Sequence, residues 1–166
     1  MLRETRPELI EANTFKLIGQ EWMLITAGNM KSFNMMTASW GGFGVLWGKD
    51  VCLAFIRPVR YTYKFVEQNH LFTLSFFEEK YRGVLEFCGA HSGRDTDKIK
   101  KTGLTPFQTP KGSISFKEVK LIIECRKIYF QDINPANFLD PSIETNYPAR
   151  DYHRMYIGEI LNVLRK

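Results

Sequence analysis

The sequence predicts an α+β domain that is mainly antiparallel β, a barrel or a sandwich with helices at its periphery. Seven runs rich in aromatic and β-branched residues recur along the chain, the composition that suits a pleated, half-buried surface. Only three short stretches carry a helical period. Their order is not the strict β-α-β alternation of a doubly wound sheet, and no GxGxxG opens a helix after a strand.

In chain order, "WMLITAG" (22–28), "NMMTASW" (34–40), "FGVLWG" (43–48) and "VCLAFI" (51–56) read as strands. The first helical stretch, "YTYKFVEQN" (61–69), follows Pro58 and Arg60, and the strand "LFTLSFF" (71–77) comes next. In "EKYRGVLEFCG" (79–89) Tyr81, Val84, Leu85 and Cys88 fall at i, i+3, i+4 and i+7, with Gly89 as the C-terminal stop. "DTDKIKKTG" (95–103) opens on acids and ends in lysines and Gly103, which predicts a helix beginning near Asp95 with Lys98 one turn in. Residues 113–133 read as two strands or one bent strand, their charges alternating imperfectly with apolar positions. Residues 134–153 hold three prolines and little period of either kind, and read as a long excursion between strands. Loops of that length usually cover a site or contact a partner. "RMYIGEILNVL" (154–164) is the last strand.

At 166 residues, 44% apolar and 25% charged, the chain fits one soluble globular domain over 1–166. No run approaches the roughly 18 apolar residues of a membrane span, and the charged start "MLRETRPELIEANTFKLIG" is unlike a signal peptide, so a cytoplasmic protein with no membrane partner is expected. Cys52, Cys88 and Cys125 form no CxxC pair, and His70, His91 and His153 are scattered. Neither a disulfide framework nor a metal site is expected, and buried reduced thiols are the favoured reading.

The net charge of +5 is compatible with binding an anion. Positive residues gather in two places, Arg57, Arg60 and Lys64, and again Arg94, Lys98, Lys100 and Lys101. "RPVRYT" stands between an apolar strand and a helix, so Arg60, Thr62 and the first free N–H groups can face a phosphate. The same reasoning applies to Ser92, Gly93 and Lys98 in "HSGRDTDK". For each stretch alone, solvated charge and ordinary capping explain the pattern as well. In 34–41, Asn34, Thr37, Ala38, Ser39 and Gly41 offer hydroxyls, an amide and little-shielded backbone, an edge suited to a flat heteroaromatic ring. A tight turn punctuated by Gly41 and Gly42 is the alternative, and both stay open on this chemistry.

Taken in order, "NMMTASW", "RPVRYT", "CGAHSGRDTDK" and "HRMYIGEI" resemble the flavin reductase-like, FMN-binding split-barrel family that includes the flavoredoxins. The resemblance spans roughly 34–160 and implies a six-stranded antiparallel Greek-key barrel with added helices, commonly a homodimer holding FMN near its interface. Carried over by position, it implies that Asn34, Thr37, Ala38, Ser39 and Trp40 line the isoalloxazine and ribityl chain. Arg60, Tyr61 and Thr62 then approach the phosphate, Ser92 and Lys98 complete its clamp, and His153 matches the family histidine near the redox face. Residues 134–151 look longer than the family's usual connection, and no long C-terminal tail follows "LNVLRK" to close over the flavin. The implied activity is electron transfer between flavin and NAD(P)H or a redox protein, with the flavin carrying the electrons and the chain tuning it. An FMN-binding protein without turnover shares these motifs. A binding module of another class, taking nucleic acid or another anion on Trp40, Tyr61 and Tyr63, is the alternative, although nucleic acid is not the expected partner.

Overall fold

The computed structural model describes residues 1–166. The chain opens with β1 (Arg3–Thr5), a turn at Pro7–Leu9 and a short helix α1 (Thr14–Lys16), capped by the Asn13 side chain and running on through Leu17–Glu21 as a wider π-turn. Four strands follow: β2 (Met23–Asn29), β3 (Ser32–Ala38), β4 (Gly41–Leu46) and β5 (Lys49–Ile56). Helix α2 (Tyr61–Gln68), strand β6 (Leu71–Phe76), helix α3 (Arg82–Ala90) and helix α4 (Lys98–Thr102) come next. The chain finishes with β7 (Pro106–Gln108), β8 (Ile114–Phe116), β9 (Leu121–Asp132) and β10 (Arg154–Arg165).

The antiparallel path runs β3-β2-β6-β9-β10-β5-β4, with β1 paired to the far end of β10, and β7-β8 form a separate ribbon. The two ends of that path, β3 and β4, do not hydrogen-bond to each other, yet only Ser39 and Trp40 separate them in the chain. A link that short reaches no more than about 11 Å between the flanking Cα atoms. The sheet must therefore curl until its edges nearly meet. This is the α+β split barrel expected from the motifs, built from eight strands in the main sheet where six were expected.

Two cores explain why β2 reads as a continuous apolar run. Met23, Ile25 and Ala27 pack inside the barrel with Phe72, Leu74, Phe76, Ile123 and Tyr156. Leu24 points the other way, into a second core with Met35, Leu85, Cys88, Phe116 and Ile122 beneath α3 and β8. Alternate residues of a strand face opposite sides, so a strand buried on both faces is apolar at nearly every position, Thr26 being the polar exception in β2.

Several boundaries differ from expectation for local reasons. Residues 113–133 are two strands, because 117–120 form a turn in which Lys117 N–H bonds Thr105 O and Lys120 N–H bonds Phe76 O. The charges at 117, 118 and 120 sit in that turn, which explains the imperfect alternation. Gly89 lies inside α3 and does not end it; the chain becomes extended at His91, whose N–H bonds Phe87 O. Helix α4 starts three residues later than expected, with Asp97 accepting from Lys100 N–H and Gly103 closing it in the left-handed conformation, so Lys98 is its first residue. Gly41 and Gly42 belong to β4, not to a turn, and a Cβ at Gly41 would stand 2.7 Å from Leu53 O on the adjoining β5. No helix is long and apolar enough to cross a membrane.

Candidate functional site

One mouth of the barrel gathers the end of β3, the Ser39–Trp40 link, the end of β5 and the start of β10. The pairing of Arg154 with Ile56 sets His153 beside Arg57. Between them lies a cleft of about 180 Å³ lined by Met36, Thr37, Ala38, Ser39, Trp40, Phe55, Arg57, Arg60 and His153. Trp40 is 43% exposed and its ring stands 5.0 Å from that of His153, so it walls the rim and is not part of the core.

A second cleft, about 190 Å³, shares Met36 and Arg60 with the first. It is bounded by Asn34, Tyr61, Thr62, Ser92, Gly93, Arg94 and Lys98. No side chain caps the N-terminus of α2, and Tyr61 and Thr62 of its first turn line this cleft. Uncapped N–H groups, the helix dipole and two arginines all favour an anion there. Arg60 stands at the junction, its Nη1 donating to Gly89 O at 2.9 Å. Burial, reinforced by Arg57, lowers its pKa.

All eleven residues singled out from the sequence line these two clefts, but several also hold the chain together; the Thr37 hydroxyl, for one, donates to Leu85 O. Asn34 is buried and its Nδ2 donates to Thr62 Oγ1 at 2.7 Å, which ties β3 to α2. Thr62 keeps its own hydroxyl proton to donate. Lys98 is also buried, and its Nζ donates to Met35 O at 2.8 Å and Cys88 O at 2.9 Å, leaving one N–H for the cleft. Burial lowers the Lys98 pKa to about 8, with Cys88 opposing and Arg60 reinforcing the shift. Ser92 does not precede a helix N-terminus: residues 92–96 form a turn held by Ser92 O, and Asp97 occupies the end of α4. The expectation of an anion at the start of α4 is thereby overturned, whereas the start of α2 has no side-chain cap.

His153 is buried against Trp40, Phe55 and Tyr147, with Nδ1 2.8 Å from Tyr147 Oη. Burial, then Arg57, lowers its pKa to about 4, against a smaller opposing effect of Asp151. At neutral pH the imidazole is uncharged, so it can offer a hydrogen bond but not an acidic proton.

The clefts are also lined by seven residues that the sequence did not mark as site residues: Met36, Phe55, Arg57, Val59, Ala90, His91 and Arg94. The doubled arginine of "RPVR" was the available signal for Arg57, whereas nothing in the pattern marks Phe55. Arg57 pairs with Asp151 at 2.9 Å, donates to Asn146 O at 2.8 Å and lies over the Tyr147 ring at 5.0 Å. It thereby straps the excursion 134–151 onto the mouth of the barrel, where the length of that segment had suggested it would lie.

Residues 15–166 match the flavin reductase like domain family. No curated protein matches the chain in sequence. Among solved structures, the flavoredoxin of Desulfovibrio vulgaris (Miyazaki F) is 22% identical, with a TM-score of 0.70 over 98% of this chain and 77% of that one. An FMN-binding domain of a flavin reductases-like enzyme from Shewanella baltica is 15% identical, with a TM-score of 0.72 over 99% of this chain and 77% of that one. An FMN-binding protein from Thermus thermophilus, with 1-cyclohex-2-enone bound, is 17% identical, with a TM-score of 0.67 over 97% of this chain and 76% of that one. At these identities the likeness carries the fold.

Proposed function

Because the chain belongs to the flavin reductase-like family, we propose that it binds FMN and acts as a flavin-dependent oxidoreductase, passing electrons between NAD(P)H or a redox protein and the flavin. One observation carries this reading: Arg60 lines both a cleft floored by Met36 and Ala38 and a cleft at the uncapped end of α2. A ligand with a flat ring at one end and a phosphate at the other fits that pair.

The donor set suits the phosphate. Thr62 and Ser92 hydroxyls, the α2 N–H groups and the Arg60 and Arg94 guanidiniums are all hydrogen-bond donors on one cleft. At the ring end Trp40 and Phe55 flank the space, and the small residues Ala38 and Ser39 line it. A bound flavin would supply the two-electron chemistry. The chain would bind and orient it, exclude water with Trp40 and the strapped segment, and offer the neutral His153 as a hydrogen-bond donor toward the ring.

The test is the visible spectrum of the purified protein, followed by anaerobic NADH and NADPH. A flavin band that bleaches with either nucleotide supports the reading. A colourless protein that takes up no FMN at micromolar concentration refutes it, and a band that neither nucleotide bleaches restricts the role to flavin binding or to exchange with a protein partner.

We also propose a homodimer in the cytoplasm. Val45, Leu46, Trp47 and Phe130 are exposed, and the Trp47 ring meets that of Tyr129 at 5.9 Å, an apolar surface that association would cover. All three cysteines are free, as a reducing compartment requires. Light scattering giving 19.4 kDa, the mass of one chain, would refute the dimer.

A further inference from the structure

Tyr147 sits where the excursion 134–151 turns back onto the barrel, and it is buried. Arg57 covers one side of its ring, and Phe138 stacks on it at 6.2 Å with the planes only 17° apart. The Tyr152 ring is 4.9 Å away. Its hydroxyl therefore has little freedom, and it stands 2.8 Å from His153 Nδ1.

Either group could donate across that contact, but the two arrangements are unequal. If Nδ1–H donated, the phenol proton would be left without an acceptor in the chain, since the hydroxyl's other partner, the His153 backbone N–H, is itself a donor. Leaving such a group unpaired is costly. If the phenol donates, both atoms are satisfied. Burial also raises the Tyr147 pKa, which keeps the phenol protonated.

With Nδ1 accepting, a neutral imidazole carries its hydrogen on Nε2. Nε2 has no partner in the chain, yet the only fully buried side-chain polar atoms without one are Thr26 Oγ1 and Ser113 Oγ. Nε2 therefore touches solvent, and the solvent beside His153 is that of the Trp40 cleft.

We infer that Tyr147 is a positioning residue: its hydroxyl holds His153 as the Nε2–H tautomer and aims that N–H into the cleft where, on the flavin reading above, the ring is bound. The tautomer and its orientation stand on the geometry of this chain alone; only the hydrogen bond to a flavin rests on that reading.

Long-range proton–nitrogen NMR correlations on flavin-free protein labelled at histidine read the tautomer directly, with His153→Gln assigning the signal among His70, His91 and His153. The wild-type chain should show His153 protonated on Nε2 alone, and Tyr147→Phe should show both tautomers exchanging. A wild-type Nδ1–H signal, or a Tyr147→Phe spectrum still purely Nε2–H, overturns the inference. In the FMN-loaded proteins, losing the aimed donor should weaken binding of the reduced flavin relative to the oxidised form roughly two- to tenfold, the range of one neutral hydrogen bond. That is a fall of about 10–30 mV in two-electron midpoint potential. An unchanged potential refutes the aim toward the flavin. A wild-type chain that binds no FMN refutes the flavin reading instead, and the NMR result then decides the role of Tyr147 without it.

Discussion

Gly93→Ala should both destabilise the fold and disturb the second cleft. A Cβ at this position would lie 2.0 Å from Asn34 Oδ1 and 2.9 Å from Asn34 Cγ. Restoring an ordinary separation of 3.4 Å to Oδ1 requires the amide to retreat by 1.4 Å (3.4 minus 2.0). Asn34 is buried and its Nδ2 holds Thr62 Oγ1 at 2.7 Å, so a movement of that size breaks the bond. Overpacking costs about 1–3 kcal/mol and one buried hydrogen bond about 1 kcal/mol more, which together give about 2–4 kcal/mol. Urea unfolding of the flavin-free protein measures it, and Gly83→Ala is the control. Gly83 lies in the same helix-bearing segment with nothing within 4 Å of its Cβ position, and alanine there should gain up to about 1 kcal/mol. Because Thr62 heads α2 in the phosphate cleft, Gly93→Ala should also weaken FMN more than riboflavin. A Gly93→Ala protein within about 0.5 kcal/mol of wild type, the range of an ordinary surface change, would refute the reasoning.

Trp40→Ala should weaken FMN binding while moving the melting temperature of the flavin-free protein little, because the ring is on the rim; a loss of several kcal/mol, as for a core cavity, would contradict that. Lys98→Met should be read in two titrations: two carbonyls lose their donor, so stability falls, and FMN should weaken more than riboflavin only if the remaining N–H reaches the phosphate. His153 has a folded pKa of about 4, below its unfolded value, so the unfolded chain binds more protons between pH 6.5 and 4. Its contribution is present above about pH 6.5 and is lost as pH falls toward 4. Allowing for solvent at the ring edge, the loss should be about 1–2 kcal/mol, and urea midpoints for His153→Gln should fall less steeply over that window than those of wild type.

What the sequence determined by itself is the local and the periodic. Aromatic and β-branched content located β2, β3, β5, β6, β9 and β10, because those strands are long enough for such a run to stand out. The three-residue strands β1 and β7 repeat nothing, and exist only because β10 and β8 offer backbone partners. The ordered motifs around Asn34, Arg60, Ser92 and His153 identified the family and eleven of the residues that line the two clefts, since each is a short run whose chemistry is visible in one dimension. Tertiary structure alone decided how those residues are used. Lys98 and Asn34 look like ligand contacts in a list, but packing turns them toward Met35 O, Cys88 O and Thr62 Oγ1. Arg57 and Tyr147 lie far apart in the chain and meet only because β5 and β10 are paired at the mouth of the barrel. Which nitrogen of His153 carries the hydrogen depends on a hydroxyl six residues away in a segment without periodic structure. Such contacts are set by the curl of the sheet that brings its edges together, a global constraint that no window of residues contains.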